Sequence, residues 1–583
     1  MRDLNRLFIL SFSGFLLLNS SSAFSEPTPT SSTTMTLYHN ENTIFHPVAA
    51  QHGMVASGQY LATQVGIDIL KRGGNAVDAA VAVGFALAVV LPNAGNLGGG
   101  GFLLLHDAKT RQNIALDFRE VAPQKASRDM YLDVKGELIK DQSLYSHKAI
   151  AVPGTVAGLE YALKKWGSLS LAEVMAPAIQ LADQGFIVSP VLASVFDEEK
   201  DHLSQWPSTK QIFFKDNQPL KAGQRLIQKD LAQSLRLIAA QGSGAFYHGE
   251  IGDKIIAEIQ QHQGLMQKQD LQNYQVVERQ PLRDRYRGFE IVSMPPPSSG
   301  GVHIIQMLNI LEHYPLHDWG ANSAQSIHYL SESMKLAYAD RSKYLGDPDF
   351  FKVPVQGLTS KKYAASLAQK ISPDRATPAS QIAPNNPLPF EHDQTTHYSI
   401  IDQKGNAVAV TYTLNMDFGT GIVATGTGIL LNNEMDDFSA KVGVPNAFGL
   451  IGNQANAIAA NKRPLSSMTP TMVMREQRPW LITGSPGGSQ IISTVLQTIV
   501  NSIDFEMNPA EAAATPRIHH QWQPDELRIE KGISADSIAI LKQRGHQIQQ
   551  KSSMGKTQTI QVIDGQYYGY SDPRNPDGAT LGY

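Results

Sequence analysis

The chain has 583 residues, of which 42% are hydrophobic and 17% charged, and it contains no cysteine. Its formal net charge of −4 excludes the basic footprint of a nucleic-acid-binding protein, and without cysteine no disulfide can form. The length permits several domains or one large α/β unit. Because the net charge is small, a substrate is expected to bind in a pocket and not to be attracted by the overall electrostatic field of the protein.

The first 25 residues are typical of a secretory signal peptide. Arg2 and Arg6 supply the positive region, an apolar core of about a dozen residues follows at 7–18, and Ala23 and Ser25 are small residues before a cleavage point at Glu26. The core is shorter than the roughly 20 residues of a membrane span. No cysteine is present for lipid attachment. The leader predicts a periplasmic or secreted protein.

The next segments predict alternating helices and strands. A helix is predicted at 57–72, ending at Gly73-Gly74, and a buried helix at 76–91. Strands are predicted at 102–107 and 113–118. Further helices are predicted at 155–166, 170–185, 226–240, 301–313 and 323–341. The glycine run 98–101 lacks the Lys-Ser/Thr of a phosphate loop, so we expect it to pack closely against the buried helix.

Residues 376–394 differ from the rest because they contain four prolines among Asn, Gln and Ser. Such a composition predicts an exposed, extended linker, although a surface loop between domains would look the same. Thr395 follows this segment directly and opens a predicted strand. We expect self-cleavage of the bond between Gln394 and Thr395, which would make the chain a precursor.

Cleavage at this position would create a catalyst on one residue. A hydroxyl is a poor nucleophile unless a base takes its proton, and a free α-amino group titrates near pH 8, so it can be that base. Within an intact chain the nitrogen of Thr395 is an amide and cannot do this. The alternative is an ordinary threonine-rich hairpin.

A β-hairpin is predicted around the turn at 402–406, with strands at 395–401 and 407–414. Folding about this turn brings residues 413 and 414 opposite Thr395, and the two-residue period places Thr411, Thr413 and Asn415 on one face. Thr413 is therefore expected to contact the nucleophile, and Asn415 to line the same pocket.

The glycine pair Gly487-Gly488 lies between a predicted strand at 480–483 and a predicted apolar helix at 489–502. Free backbone N–H groups and the positive end of the helix dipole meet at such a junction, so the pair can form an oxyanion hole. A plain glycine turn is the alternative.

Charge matching indicates how an amino-acid head would be held. Such a head carries an ammonium and a carboxylate, which need an anion and preferably an arginine, and Asp437 and Arg119 fit these roles. The adjacent His519 and His520 lack the spacing of metal ligands, so no catalytic metal is expected.

Several ungapped motifs resemble the γ-glutamyltranspeptidase family of N-terminal-nucleophile hydrolases. They cover essentially the whole chain after the leader and are NLGGGGF at 96–102, LDFRE at 116–120, AVPGT at 151–155, PPPSSGG at 295–301, TTHYSIIDQKGNAVAVTYTLN from Thr395, LLNNEMDDF at 430–438, KRPLSSM at 462–468 and TGSPGG at 483–488.

The resemblance implies an α/β fold, a four-layer αββα sandwich, formed jointly by a large subunit (26–394) and a small catalytic subunit (395–583). It implies a γ-glutamyltransferase and hydrolase that cleaves glutathione and other γ-glutamyl compounds through an acyl-threonine and needs no cofactor. Acceptors are water, amino acids or peptides.

The resemblance also assigns residues to the substrate and to a lid. Arg119 and Ser466, assisted by Ser467, would bind the α-carboxylate. Asn415, Glu434 and Asp437 would hold the α-amino group, Thr413 would assist Thr395, and Gly487 and Gly488 would form the oxyanion hole. A lid loop at 438–456 has Phe448 where bacterial relatives commonly have a tyrosine, which predicts a looser lid because a phenyl ring cannot donate the gating hydrogen bond.

Two alternatives remain open from the sequence. The same scaffold can serve as an acylase for glutaryl side chains of β-lactams, although Asn415 and Asp437 argue against it. An unprocessed periplasmic binding protein would instead show one intact polypeptide.

Overall fold

The computed structural model describes residues 43–382, 395–441, 444, 450 and 454–583. The predicted signal peptide at 1–25, the predicted scissile residue Gln394 and the lid residue Phe448 lie outside the described residues. So do parts of the predicted linker and of the predicted lid loop.

Two seven-stranded antiparallel sheets form the centre of the fold. Sheet one contains the predicted hairpin, and its strands in spatial order are Ala579–Gly582, Gly53–Ser57, Thr396–Asp402, Ala407–Thr413, Gly100–Asp107, Gln112–Phe118 and Val277–Arg279. Sheet two has the order Val48–Ala50, Gln566–Ser571, Gln558–Ile563, Arg478–Thr483, Thr471–Arg475, Phe289–Ser293 and Leu282–Tyr286.

The alternation of side chains along the strands shows that the sheets stack face to face. Leu103 and Leu105 pack in a core with the helices at 60–71 and 76–90, whereas Phe102 and Leu104 point into a second core shared with sheet two. The same second core includes the helices on the far side of sheet two. The layers are therefore helix, sheet, sheet and helix, which confirms the predicted four-layer sandwich.

The outer layers consist of helices on both sides. On the sheet-one side they are Tyr60–Lys71, Ala76–Val90, Thr155–Trp166, Leu171–Gln184, Pro190–Glu198, Pro207–Phe213, Lys229–Gln241 and Glu250–Gln261. On the sheet-two side they include Gly300–Leu311, Ala324–Tyr344, Lys361–Ala368, Gln490–Ile503 and Ala535–Gln543. Within the described ranges, no helix combines the length and apolar character needed to cross a membrane.

The remaining short elements connect these layers. The short helices are Gln142–Tyr145, Lys200–Leu203, Gly244–Tyr247, Lys268–Gln272, Leu316–Trp319, Val355–Leu358 and Pro509–Ala514. The short strands are Phe186–Ile187, Phe214–Lys215, Gln218–Pro219, Arg225–Leu226, Val423–Ala424, Ile429–Leu430, Ile518–His519, Leu527–Ile529 and Ile548–Gln550.

The predicted helix boundaries lie within two residues of those in the structure at four of the seven helices predicted at 57–341. The helix predicted at 226–240 begins at Lys229, and the helix predicted at 323–341 ends at Tyr344. The third difference is at the first helix. That helix begins at Tyr60 and not at Ser57, because Gln59 is extended and its side chain accepts hydrogen bonds from the first amide groups of the helix. Ser57 instead ends the strand Gly53–Ser57, which the sequence analysis did not predict.

The glycine run 98–101 packs closely, but against strands and not against the buried helix. A Cβ on Gly99 would lie 2.0 Å from the carbonyl oxygen of Thr413, and one on Gly101 would lie 2.4 Å from that of Thr411. The glycines therefore let the chain approach the second strand of the hairpin more closely than any other residue would allow.

Asp402 fixes the turn of the hairpin. Its Oδ1 accepts hydrogen bonds from the backbone N–H groups of Lys404 and Asn406, and its Oδ2 accepts from the Ala76 N–H at 3.0 Å and from the Asn406 side chain. One buried carboxylate thus ties the turn to the start of the buried helix.

We expect Asp402→Ala to destabilise the protein by about 2 kcal/mol, because several buried N–H groups lose their acceptor. Differential scanning calorimetry measures the fall in melting temperature. Gln403→Ala, in the same turn but exposed, is the control and is expected to have little effect. Equal melting temperatures for the two variants would contradict the assigned role of Asp402.

Candidate active site

Thr395 lies at the start of the central hairpin and contacts the second strand. The Oγ1 atom of Thr395 is 3.4 Å from that of Thr413, with Thr395 as donor. The observed register pairs Thr396 with Tyr412, so Thr395 and Thr413 face each other as predicted. Both side chains are almost fully buried. The structure therefore places a second hydroxyl beside the predicted nucleophile.

Asn415 follows the second strand and turns into the same space. It has a positive φ of 79°, its N–H donates to Thr413 Oγ1 at 2.8 Å, and its side-chain amide donates to the Asn433 carbonyl at 3.0 Å. Its Oδ1 is buried and has no hydrogen-bond partner among the described residues. A buried orphan acceptor of this kind is ready to receive a hydrogen bond from a ligand.

Arg119 is fully buried and meets three carboxylates. Its Nη1 bonds Glu434 and also contacts Glu120 at 3.2 Å, while its Nη2 bonds Asp437. Its Nε donates to the carbonyl of Pro464 at 3.3 Å. One oxygen of Glu434 and one of Glu120 have no hydrogen-bond partner among the described residues. One buried guanidinium group therefore contacts three carboxyl groups.

The protonation of this cluster follows from burial and charge balance. Burial raises the pKa of Glu120 to about 7 and raises the pKa values of Glu434 and Asp437, while Arg119 opposes each of these shifts. Burial lowers the pKa of Arg119, but the three carboxylates outweigh burial and raise it. Three buried carboxyl groups thus share one arginine, and burial makes each of them easier to protonate than a carboxyl group in water.

Ser466 and Ser467 follow Pro464, whose carbonyl accepts the hydrogen bond from Arg119 Nε. Ser466 pairs through its backbone with Pro297 and Ser299, since Ser466 N–H donates to the Pro297 carbonyl at 2.9 Å and Ser299 N–H donates to the Ser466 carbonyl at 2.7 Å. The Ser467 hydroxyl accepts from Arg341 at 3.2 Å. The PPPSSGG segment thus positions the serines.

Gly487 and Gly488 form the junction between the strand Arg478–Thr483 and the helix Gln490–Ile503. Both have positive φ, 131° and 46°, which favours glycine. Neither amide donates a hydrogen bond to another described residue, whereas the Gly487 carbonyl accepts from Gln490 at 2.7 Å. Two N–H donors at a helix start therefore remain available.

These residues line one cavity. Its lining consists of Arg119, Thr395, Thr413, Asn415, Glu434, Asp437, Ser466, Ser467, Met468, Gly488 and Ile491. The structure thus brings together every described residue of the predicted site, with Gly487 next to the lining residue Gly488.

Two residues of the site were not predicted. Glu120 is the third acid on Arg119, although its place directly after Arg119 was a signal in the sequence. Arg341 is fully buried, and burial lowers its pKa to about 10. It donates to Ser299 and Ser467 from the last turn of the helix Ala324–Tyr344, and no local sequence pattern indicated this role.

No histidine of the described residues lines this cavity. His519 bonds Ser493 at 2.8 Å and His520 lies 3.3 Å from Asp525, so each has a side-chain partner. Two other groups have spacing that could hold a metal ion, and neither includes a residue of the cavity: His147 with Glu258 and His262, and His328 with Glu332 and His546.

Comparison with known proteins identifies the family. The model of the family described as Gamma-glutamyltranspeptidase matches residues 62–582. The chain belongs to this family. It is 55% identical over 551 residues to the glutathione hydrolase proenzyme of Escherichia coli strain K12, covering 94% of each chain.

Solved structures of similar fold include members of two activities. The cephalosporin acylase from Bacillus halodurans matches with a TM-score of 0.82 at 28% identity, covering 96% of this chain and 99% of that one. A chain of Helicobacter pylori γ-glutamyltranspeptidase matches at 42% identity with a TM-score of 0.55, covering 61% of this chain and 97% of its own. Both agree with the sandwich described above.

We expect Gly99→Ala to lower γ-glutamyl anilide hydrolysis on the order of 100-fold, because its Cβ would displace the Thr413 backbone from Thr395. Steady-state kinetics with the purified variant measures the loss. Gly357→Ala is the control, since nothing lies within 4 Å of the added carbon. Full activity of Gly99→Ala would show that the spacing of the two threonines is unimportant.

Proposed function

We propose that Thr395 is the nucleophile with which this γ-glutamyltransferase and glutathione hydrolase first cuts its own chain and then cleaves γ-glutamyl amides. The observation that carries the proposal is the contact of Thr395 with Thr413 in a cavity that is also lined by a buried arginine and by residues with orphan acceptors. The 55% identity to a proenzyme supports it.

Self-cleavage begins with attack of Thr395 Oγ1 on the carbonyl carbon of Gln394. The C–N bond of the peptide breaks as the C–O bond forms, the nitrogen of Thr395 gains the proton and an ester results. Water then hydrolyses the ester and leaves a free amine and a free hydroxyl on Thr395. Thr413 accepts the hydrogen bond that orients the hydroxyl.

The mature enzyme uses the same hydroxyl on a γ-glutamyl donor. The α-amine of Thr395 takes the hydroxyl proton as Oγ1 attacks the γ-carbonyl carbon, and the N–H groups of Gly487 and Gly488 stabilise the oxyanion. The amide C–N bond breaks, the amine departs with the proton, and a γ-glutamyl ester remains. Water or an amine resolves the ester.

The charged cluster explains selection of an α-amino acid head. The ammonium of the donor would be held by Asn415 Oδ1, by the unpartnered oxygen of Glu434 and by Asp437, and each hydrogen bond to a charged group contributes roughly 1.5–3 kcal/mol. The donor carboxylate would bind Arg119 together with Ser466 and Ser467. Arg119 must then loosen its contacts with the acids, so the donor replaces internal ion pairs with its own.

The two-fragment product fits the comparison with a solved relative. The Helicobacter pylori chain is matched over nearly its full length yet covers 61% of this chain, a share similar to that of residues 26–394. We propose that residues 26–394 and 395–583 form a heterodimer after cleavage. We also propose that the leader directs the protein to the periplasm or outside the cell.

An acylase acting on glutaryl side chains is the competing function on this scaffold. A glutaryl group has no α-ammonium, so it would leave Asn415 Oδ1 and the Glu434 oxygen without donors. Comparison of γ-glutamyl and glutaryl anilides separates the two functions. We expect turnover of the γ-glutamyl compound to dominate.

Thr395→Ala is expected to remain a single polypeptide, because the hydroxyl that attacks the peptide bond is missing. A denaturing gel shows one band for this variant and two for the wild type, and N-terminal sequencing of the smaller wild-type fragment is expected to begin at Thr395. Thr396→Ala is the control and should still be cut. Cleavage of the Thr395→Ala chain at the same bond would disprove the assignment.

Glu434→Gln tests the electrostatics of donor binding. As pH falls through the raised pKa values of the acids, the donor ammonium loses its anionic partners, so kcat/KM for a γ-glutamyl anilide decreases. Gln removes one competing negative charge and lets the remaining acids ionise at lower pH. The acidic limb of the profile should therefore move to lower pH.

The measurement is a pH profile of kcat/KM from weakly acidic to weakly alkaline pH, with Glu476→Gln in an exposed turn as control. The control should follow the wild type. An acidic limb that stays in place, or moves to higher pH, in Glu434→Gln would contradict the proposed role of the cluster.

A further inference from the structure

A cluster of two histidines and a glutamate lies outside the lining of the cavity around Arg119. The nearest ligand atoms of His147, Glu258 and His262 all lie within 4.8 Å of one another, and none of the three residues lines that cavity. The mechanism proposed for Thr395 uses none of them. Imidazole nitrogen and carboxylate oxygen are common ligands of zinc in proteins. The cluster therefore has the composition of a three-ligand metal site.

The end of one helix brings two of these residues together. Glu258 lies in the last turn of the helix Glu250–Gln261, and His262 is the residue that ends it. Residues four apart on a helix are neighbours on its surface, and metal ligands recur at this spacing. The Nδ1 atom of His262 is 3.2 Å from Glu258 Oε1 and 3.0 Å from the Glu258 carbonyl oxygen.

His147 joins the group from a distant part of the sequence. It begins the 3-10 helix His147–Ala149, and its Nε2 atom is 3.3 Å from Glu258 Oε1. A tetrahedral zinc site with bonds of about 2.0–2.1 Å has ligand atoms roughly 3.3–3.4 Å apart. Both imidazoles thus place a nitrogen close to this distance from the same carboxylate oxygen.

Thr425 orients the carboxylate that the two histidines share. Its hydroxyl donates to Glu258 Oε2 at 2.7 Å, and its N–H donates to the same oxygen at 3.4 Å. The other oxygen, Oε1, is the one that both imidazoles approach. Hydrogen bonds of this kind hold the ligating carboxylates of metal sites in place.

The cluster is closed on one side and open to solvent on the other. His147 is buried, and Trp206 packs edge-on against both imidazole rings, with ring centroids 5.1 and 6.2 Å away. The two imidazoles are nearly parallel, with centroids 4.3 Å apart, so one ring has to tilt before both nitrogens point at one ion. The His262 side chain is 41% exposed, which permits this tilt and lets water reach a fourth position.

The second histidine group in the described part of the chain is arranged differently. His328 Nδ1 and His546 Nε2 share a hydrogen bond of 2.8 Å, and Glu332 forms an ion pair with Lys335. All of these residues are buried. Their polar atoms satisfy one another, so this group is a core network and not an open site.

We propose that His147, Glu258 and His262 bind a zinc ion with water as the fourth ligand, and that the ion strengthens the contact of this helix with Thr425. The ion is structural and takes no part in the reaction at Thr395. The three ligands precede the proposed cut and Thr425 follows it, so in the processed protein the ion would strengthen a contact between the two fragments. The site is present in the intact chain, so zinc binding does not depend on cleavage.

The first test measures zinc binding to the wild type and to His262→Gln after dialysis against a chelator. His262 is exposed, so its replacement should leave the fold intact, and His248→Gln, an exposed histidine that ends a neighbouring short helix, is the control. We expect about one zinc ion per chain in the wild type and in the control. Affinity in His262→Gln should fall at least roughly tenfold, because even the loss of a hydrogen bond to a ligand weakens binding about 10–100-fold.

Cobalt in place of zinc reports the geometry of the site. We expect the visible absorption of a tetrahedral cobalt complex in the wild type and in His248→Gln, and its loss in His262→Gln. Thr425→Val keeps all three ligands but removes the hydroxyl that orients the carboxylate. It should retain the cobalt spectrum and bind zinc roughly tenfold more weakly than the wild type.

Thermal unfolding and activity test the structural role. Saturating zinc should raise the melting temperature of the wild type more than that of His262→Gln, because the ion binds the folded state. Hydrolysis of a γ-glutamyl anilide should be equal with and without zinc. Equal zinc affinity in the wild type and His262→Gln would reduce the cluster to hydrogen bonds between histidine and glutamate and overturn the site, and activity that requires zinc would overturn its structural role.

Discussion

The central constraint of this structure is the position of the hairpin that follows Thr395. The strand Thr396–Asp402 pairs with Gly53–Ser57 on one side, and Ala407–Thr413 pairs with Gly100–Asp107 on the other. Both flanking strands precede the proposed cut. A break at residue 394 would therefore leave the new terminus inside a continuous sheet, held by backbone hydrogen bonds to the other fragment.

This arrangement explains why the site can be built from distant parts of the sequence. Arg119 follows the strand Gln112–Phe118, which is two positions from the hairpin in sheet one, and Gly488 follows a strand of sheet two. Stacking of the two sheets brings the ends of these strands together. The acids Glu434 and Asp437 belong to a short 3-10 helix, which lies in the chain after the hairpin of sheet one and before the strand Thr471–Arg475 of sheet two. The strand ends and this short helix thus hold Arg119 and the acids together in a buried cluster, which would not form without these rigid elements.

Some of this could be predicted from local sequence, and some could not. The hairpin register followed from the turn at 402–406 and the two-residue period, and the helix at 76–90 followed from its continuous apolar run. The order of strands in the sheets depends on long-range pairing, which leaves no local pattern. For the same reason, the prediction that the glycine run 98–101 packs against the buried helix was wrong, and Gly99 packs against Thr413. Arg341 was missed because a buried arginine in a helix looks like a surface one in sequence.

The segment before the proposed cut shows how cleavage can free the site without separating the fragments. Both backbone polar groups of Thr377 are hydrogen-bonded, since its carbonyl accepts from Lys335 at 2.7 Å and its N–H donates to Glu332. Ala379 is held by residues beyond the cut, because its N–H donates to Asp525 at 2.8 Å and its carbonyl accepts from Trp522. These contacts tie residues 377–379 both to the helix Ala324–Tyr344 before the proposed cut and to residues after it. Cleavage at 394, as proposed, would leave these contacts and the hairpin pairing in place, so the amine of Thr395 would become available while the sheet and the charged cluster keep their geometry.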